Sequence, residues 1–400
     1  MRWERHLFFA CVCATLYIVN LLMISGDRSA LSGKQGAFWY TLEELRKHFD
    51  RIDVLCPRAR IAGVPSFDIF ENVFIHPATG GLLSHPSWIA QRGAELMQEH
   101  GHRVMTVQEY PPFYNGLGAR RLHKSSGVPY VLEVHHVVGH PSASSVSEWI
   151  GRKLSPSFLR THAHTAAAVR VVNAATQSLL VEFGIPREKI TVVPSFYLDG
   201  DLAHITVGYP SCDLAFCGRF VPNKGLMRLL EAIADMPNLS LIVVGDGPQR
   251  AECEQFVRAK VMSNRVHFAG WLPTQMDVWH MMLHAKAFVM PSLSEGGPRV
   301  ALEAMACGMA VIATRVGVMP DVIADGENGM LTDGSPEDLR RCIRHLLDDD
   351  GLRRRMGNEA RRILERFERK KLIGEYAEFI QGHASVSGSS GLPVGRQGSP

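Results

Sequence analysis

Residues 292–308 read SLSEGGPRVALEAMACG and place two carboxylates around a glycine-rich turn. Glu295 stands before Gly296, Gly297 and Pro298, and Glu303 follows after seven intervening residues. Paired glycines let backbone come close to a ligand. Proline suits the first position of a helix, and a helix start offers unpaired N–H groups and a positive dipole end, which suits phosphate. Glu303 is the only charge among apolar residues from Val300 to Cys307. Burying such a carboxylate is costly without hydrogen-bond donors. Sugar hydroxyls are donors of that kind; backbone groups or an Arg are the plainer alternative.

A second cluster lies in LAFCGRFVPNKG, at 214–225. A strand ends at Cys217, Gly218 and Arg219 follow at its carboxyl end, and Lys224 begins the next helix. Arg supplies a planar bidentate fork for phosphate oxygens and Lys a point charge. Together they suit a diphosphate leaving group. A third turn, VVGDGPQR, carries Gly245 and Gly247 at another strand end. Such turns close many strand–helix units, so it adds weight only in company.

These side chains need a scaffold that brings strand ends together. Short apolar runs alternate with helical patterns from one end of the chain to the other. The expected strands are 16–23, 52–56, 73–76, 104–108, 130–135, 169–173 and 190–194, then 213–217, 240–244, 266–269, 287–291, 310–313 and 329–331. Near-continuous apolar strands separated by helices indicate parallel sheets covered on both faces. The periodicity breaks at 197–211 and restarts. The expected fold class is therefore α/β, with two Rossmann-like, doubly wound domains facing a cleft. The division is an extension at 1–15, a first domain at 16–196, a linker at 197–211, a second domain at 212–367, a helix at 368–381 and a disordered tail at 382–400. Ligands of such sheets bind at strand carboxyl ends, at a topological switch point.

Composition narrows the function. The chain has 400 residues, 46% hydrophobic and 21% charged, with a net charge of +3. That excludes a general nucleic-acid binder. Between Tyr114 and Arg170, however, seven Lys/Arg oppose only Glu133 and Glu148. This patch could face an anionic acceptor or the inner face of a membrane. The eight cysteines show no Cys-x-x-Cys spacing and read as reduced thiols, which points to a cytoplasmic protein without a zinc site. Residues 7–24 are largely apolar behind Arg2 and Arg5, a pattern open to a signal anchor. A first strand at 16–23 is preferred, because the helix and strand that follow need one before them.

In this order GRFVPNKG, VVGDGP, VHFAGWLP, PSLSEGGPRVALEAMACGMAVIATRVG and DGENGMLTD resemble the retaining glycosyltransferases of family 4 (glycosyl transferases group 1), which have the GT-B fold. The likeness is strongest over about residues 160–335. It implies that Glu303 holds the ribose of a nucleotide-sugar, a UDP- or GDP-sugar, and that Glu295 contacts the donor sugar. Arg219 and Lys224 would hold the diphosphate, assisted by amides after Gly296. Gly245, Gly297, Pro298 and Arg299 fall in the same donor site. The resemblance also implies a His at the end of strand 130–135, taken as His135 rather than His136. It aligns Ser32–Gly36, with Gly33 and Gly36, with a glycine-rich loop that touches phosphate or acceptor. The acceptor would be a carbohydrate or a lipid-linked molecule, with no cofactor and no metal required. Two departures stand out. Gly297 and Pro298 occupy positions where Phe often follows Glu-Gly, and Pro194-Ser195-Phe196 replaces a usual Pro-Asn-Gly.

The same residues admit three rival readings. A glycoside hydrolase needs carboxylates about 5–9.5 Å apart, whereas eight helical residues rise roughly 12 Å. A dehydrogenase or epimerase would open a helix with Gly-x-Gly-x-x-Gly after the first strand, and this chain has none there. A non-catalytic nucleotide-sugar-binding subunit stays open. Asp199-Gly200-Asp201 spells a metal-type Asp-x-Asp, but it lies in the linker.

Overall fold

The computed structural model describes residues 19–32, 36–59, 64–141, 143, 145–205 and 210–385. The first sheet contains β1 (Asn20–Ile24), β2 (Arg51–Cys56), β3 (Phe67–Phe70), β4 (Val73–Pro77), β5 (Val104–Gln108), β6 (Tyr130–Val134), β7 (Ala168–Val171) and β8 (Ile190–Val192). Their spatial order is β3-β4-β2-β1-β5-β6-β7-β8. All neighbours are parallel except β3, which is antiparallel to β4 at the edge. The second sheet contains β9 (Cys212–Cys217), β10 (Leu241–Val244), β11 (Val266–Gly270), β12 (Ala285–Met290), β13 (Ala310–Thr314) and β14 (Met330–Thr332), in the order β11-β10-β9-β12-β13-β14 and wholly parallel.

Central strands such as β6 and β13 are buried at every position. Helices cover both faces, as their unbroken apolar sequence demands. In each sheet the strand order reverses beside the domain's first strand. β1 lies between β2 and β5, and β9 between β10 and β12. The crevices beyond the carboxyl ends of β1 and β9 are thus the natural ligand positions.

One apolar core runs through both domains. It joins Met23 and Ile52 of the first sheet to Ala215 and Phe288 of the second through Phe196, Tyr197, Leu198, Phe367 and Tyr376. The expected linker is therefore partly core: Leu198 and Leu202 are fully buried. Leu198 N–H also donates to the Phe367 carbonyl at 2.7 Å. The helix Arg369–Gln381 returns to the first sheet. There Tyr376 Oη donates to Glu133 Oε1 at 2.5 Å, and Arg170 lies 3.7 Å over the Tyr376 ring.

Several expectations change. The first strand ends at Ile24 rather than Met23, because its register runs Asn20↔Arg51 to Ile24↔Leu55. Residues 1–18 lie outside the described residues. Strand β3 is an addition to the expected strands, since FDIF is too short to show a period. Of the expected disordered tail, residues 386–400 lie outside the described residues, but Ser385 is tied down. Its N–H donates to the Arg103 carbonyl at 3.0 Å.

Candidate active site

The corner of the second domain forms because two neighbouring strand ends interlock. Leu293 N–H, beyond β12, donates to the Asn223 carbonyl, beyond β9, at 2.7 Å. Gly225 has φ +70°, and a Cβ there would meet the Pro291 carbonyl oxygen at 2.0 Å. Only glycine combines that conformation with that approach. Lys224 ends a short 3-10 turn, Pro222–Lys224, rather than starting the helix, which begins at Leu226. This turn carries Lys224 Nζ onto Glu295 Oε1, where they form an ion pair. Arg219 is exposed on the same rim, and its guanidinium has no partner among the described residues.

Gly245 and Gly247 have a structural reason of their own. Their φ values are +125° and +159°, and added Cβ atoms would strike the carbonyl oxygens of Gly218 and Phe220 at 2.0 and 2.6 Å. They seat one strand-end turn against the next.

The helix Arg299–Ala306 starts beside Glu295, with Pro298 as its N-cap rather than its first residue. Among the described residues the amides of Gly296, Gly297, Arg299 and Val300 have no hydrogen-bond partner. Four unpaired donors at a helix start, next to Lys224 and Arg219, form an anion site. Gly296 and Gly297 also have a role that the sequence did not reveal. A Cβ on Gly296 would lie 2.6 Å from the His135 carbonyl oxygen, and one on Gly297 would lie 1.8 Å from the Phe196 ring. These glycines let the second domain abut the first. Asn173 Nδ2 and Ser294 Oγ add bonds across the same seam, to the carbonyls of Gly296 (2.8 Å) and His140 (2.6 Å).

Glu303 is 1% exposed. Its Oε1 accepts from Arg299 Nε at 2.8 Å and its Oε2 from Gln275 Nε2 at 2.8 Å. Burial pushes its pKa up, and the Arg299 charge opposes this. The buried Trp279 N–H also favours the charged form, but it falls outside hydrogen-bond geometry and has no other partner among the described residues. The plainer alternative of an Arg-satisfied carboxylate is thus realised. Each oxygen still has a second lone-pair direction for a hydroxyl donor. Arg299 continues to Asp199 at 3.6 Å and lies 5.4 Å over the Tyr197 ring. Asp199 also pairs with Arg369. This arginine pair is its partner in the fold.

On the first-domain side His135 follows β6. Its ring is 38% exposed, yet its Nε2 is buried 4.0 Å from Glu133 Oε2. Neither atom has a hydrogen-bond partner among the described residues. Burial pushes the His135 pKa down to about 4, against the nearby Glu133 charge. Its neighbour His136 is exposed. A cavity of about 260 Å³ here is lined by Asp27, Thr41, Gln108, Glu133, His135 and Arg170, among others. Another of about 260 Å³ reaches Glu295 from the far side of the seam, past His136, Asn173 and Arg315. Arg219, Lys224 and Glu303 line neither. Gly33 lies outside the described residues. Gly36 caps the helix Ala37–Leu45 with φ −108°, and a Cβ there would meet nothing within 4 Å. Tyr197 Oη donates to the Ala37 carbonyl at 2.5 Å, which links this helix start to Arg299.

Glu133, Gln275 and Tyr197 were not singled out from the sequence. For Glu133 the signal was present: a lone carboxylate in the buried strand YVLEV, the same anomaly that marked Glu303.

Comparison with known proteins gives the family. Residues 212–363 match the family Glycosyl transferases group 1, and residues 36–195 match the Glycosyl transferase 4-like domain. The chain belongs to this family, and its fold is GT-B. An uncharacterized glycosyltransferase of Methanocaldococcus jannaschii is 36% identical over 160 residues, covering 40% of this chain and 44% of that protein. A lipopolysaccharide core biosynthesis glycosyltransferase of Rhizobium meliloti is 34% identical over 41% of this chain and 48% of its own length. The match thus spans about half of these relatives. Sucrose-phosphate synthase from Thermosynechococcus elongatus superimposes with a TM-score of 0.75 at 18% identity, covering 91% of this chain and 98% of that one.

Proposed function

We propose that the protein moves a hexosyl group from a nucleoside diphosphate sugar to an acceptor hydroxyl, with retention of anomeric configuration. The observation that carries this is the corner where Lys224, Glu295 and four unpaired amides meet beside exposed Arg219. Cations and a helix start stabilise charge that develops on a leaving diphosphate. Glu303 takes ribose hydroxyls, and Glu295 takes hydroxyls of the transferred sugar. His135 borders the sugar as a neutral ring. The bond from the anomeric carbon to the phosphate oxygen breaks while the acceptor oxygen bonds to that carbon on the same face. The acceptor proton passes to the departing phosphate oxygen. Charge neutralisation is assigned to Arg219, Lys224 and the amides, so the scheme invokes no metal and no cofactor.

UDP-sugars and GDP-sugars are the donors to try first, and Glu303, reading the ribose and not the base, does not choose between them. The acceptor is a carbohydrate or a lipid-linked molecule, in glycan, polysaccharide or glycolipid synthesis. Six free cysteines among the described residues favour a cytoplasmic setting.

The test is a thermal-shift panel of nucleotide-sugars followed by product analysis. We expect stabilisation by one nucleoside diphosphate and its sugar, and an anomeric proton coupling that matches the donor. Stabilisation by NAD and by none of the nucleotide-sugars would sink the reading. Donor binding with no transfer to any acceptor in a broad carbohydrate and lipid panel would support a non-catalytic binding subunit instead.

A further inference from the structure

The helix Val146–Thr165 turns one face to the sheet and another to solvent. Gly151, Ser155, Leu159 and His162 are buried. On the opposite side Val146 is 76% exposed, Trp149 55%, Ile150 47% and Leu154 45%. Spacings of three, one and four residues place these four on one stripe. Exposed apolar groups scattered singly need no explanation, but a contiguous stripe of large ones does. Lys153 and Arg160 project from the same face at helical spacing, and both are exposed. Lys153 Nζ lies 5.8 Å over the Trp149 ring. The one carboxylate of this helix, Glu148, lies in the first turn on the side turned away from the stripe.

We infer that this stripe docks on an anionic lipid surface, with Trp149, Ile150 and Leu154 in the interface and Lys153 and Arg160 at the headgroups. An apolar face interleaved with cations, with Trp on it, is what a helix lying in a membrane interface presents. A second copy of the chain is a poorer occupant. A two-fold contact through the stripe would bring Lys153 and Arg160 of both copies, four like charges, into one apolar interface. The location gives the docking a use. The loop ahead of the helix carries His140, whose carbonyl accepts from Ser294 Oγ, and His135, whose carbonyl abuts Gly296. The stripe therefore begins one loop from the reacting corner. On the transferase reading above, on which this last point rests, an acceptor with a lipid anchor reaches the cleft without leaving its membrane.

The experiment is flotation of the full chain with phosphatidylcholine vesicles, with and without phosphatidylglycerol. Trp149→Ser, Leu154→Ser, Lys153→Ala and Arg160→Ala are compared with the unaltered protein. We expect salt-sensitive recovery with phosphatidylglycerol alone, weakened about tenfold by Trp149→Ser and about fivefold by each cation removal. Equal recovery from neutral vesicles would overturn the proposal, as would variants that float like the unaltered chain. Self-association abolished by Trp149→Ser without vesicle binding would assign the stripe to a second copy and also overturn it. Thermal protection by the donor nucleotide is measured in parallel. Its retention in all four variants shows that they fold, and it separates failure of the docking from failure of the transferase reading.

Discussion

Lys224 and Glu295 stand 71 residues apart and are ion-paired where β9 and β12 end side by side. The lysine that suits a diphosphate is held by the carboxylate assigned to the sugar. On the transferase reading, the donor's diphosphate competes with Glu295 for this ammonium. The two side chains therefore respond differently to removal. Lys224→Ala should lower kcat/KM by about 10²–10³-fold, the scale for losing a preorganised group at developing charge. Glu295→Gln frees Lys224, so affinity for the nucleoside diphosphate should hold or rise while kcat falls. Calorimetric titration with the nucleotide, run beside turnover assays, separates the two. Equal loss of nucleotide affinity in both variants would remove the distinction.

Glu303 already has Arg299 and Gln275 as donors, so its burial in the free protein is accounted for without a ligand. The ribose assignment predicts more than that. Glu303→Ala should weaken nucleotide binding by about 10–100-fold, the worth of hydrogen bonds to a charged group, with the fold intact. Arg299 keeps Asp199 as a partner, which limits the structural loss. Unchanged nucleotide affinity would show that Glu303 serves only to hold Arg299 and Gln275.

His135 should be neutral throughout the working range. Burial lowers its pKa to about 4, below its unfolded value near 6.5. The folded state then binds fewer protons than the unfolded one between these values. Protonation of His135 thus opposes folding as pH falls through that window, and stability from this group is complete only above it. Imidazole NMR on the protein, with His135→Asn used for assignment, should find no titration of this ring near pH 6.5. A midpoint there would end its role as a neutral neighbour of the donor sugar.

What the sequence disclosed was local. Gly218, Arg219 and Lys224 lie within one strand–loop–helix unit, and Glu295 to Glu303 within another, so residue order alone brings each set together. The parallel sheets follow from apolar runs of a few residues, which is also local information. What stayed hidden depends on distant pairs. Gly296 and Gly297 read as room for a ligand, yet the atoms they make room for belong to His135 and Phe196. Glu133 finds Tyr376 across 243 positions. No period or spacing reports such a partner. A carboxylate inside a buried strand is the sole trace it leaves, in YVLEV and again at Asp53 in RIDVLC.

Asp53 is that second case, and its consequence is stability. It is fully buried, and Arg51 (2.6 and 3.0 Å), His76 (2.7 Å) and His102 (2.8 Å) all direct nitrogens at it. Burial pushes its pKa up, but hydrogen bonds from His102, His76 and Arg51 outweigh this and hold it well below the carboxylate range. A lowered folded pKa means that the stabilisation is present above the unfolded value near 3.9. It is lost as pH falls toward the folded one. Asp53→Asn should cost about 3 kcal/mol at neutral pH, as breaking a buried charge pair does, or about 6–12 °C in Tm. It should also flatten the acid limb of stability. Urea titrations at neutral and acidic pH check both, and an unaltered acid limb would show that another group governs it.

Gly297 tests whether the seam between the domains matters to turnover. A Cβ there would sit 1.8 Å from Cε1 of Phe196, a ring buried in the core shared by both domains. Gly297→Ala should therefore push the Glu295 turn away from the first domain while leaving each sheet folded. Displacing a reacting corner by about 1 Å costs on the order of 10²-fold in rate. Nucleotide affinity should fall much less, because Arg219, Lys224 and Glu303 all belong to the second domain. The partner change decides the cause. Phe196→Ala removes the obstructing ring, so the double variant Gly297→Ala/Phe196→Ala should recover most of the kcat lost by the single one. Kinetics of the two single variants and the double variant form the measurement. If the double variant is no faster than Gly297→Ala, the glycine is required for the ligand or for its own backbone, and not for closure against Phe196.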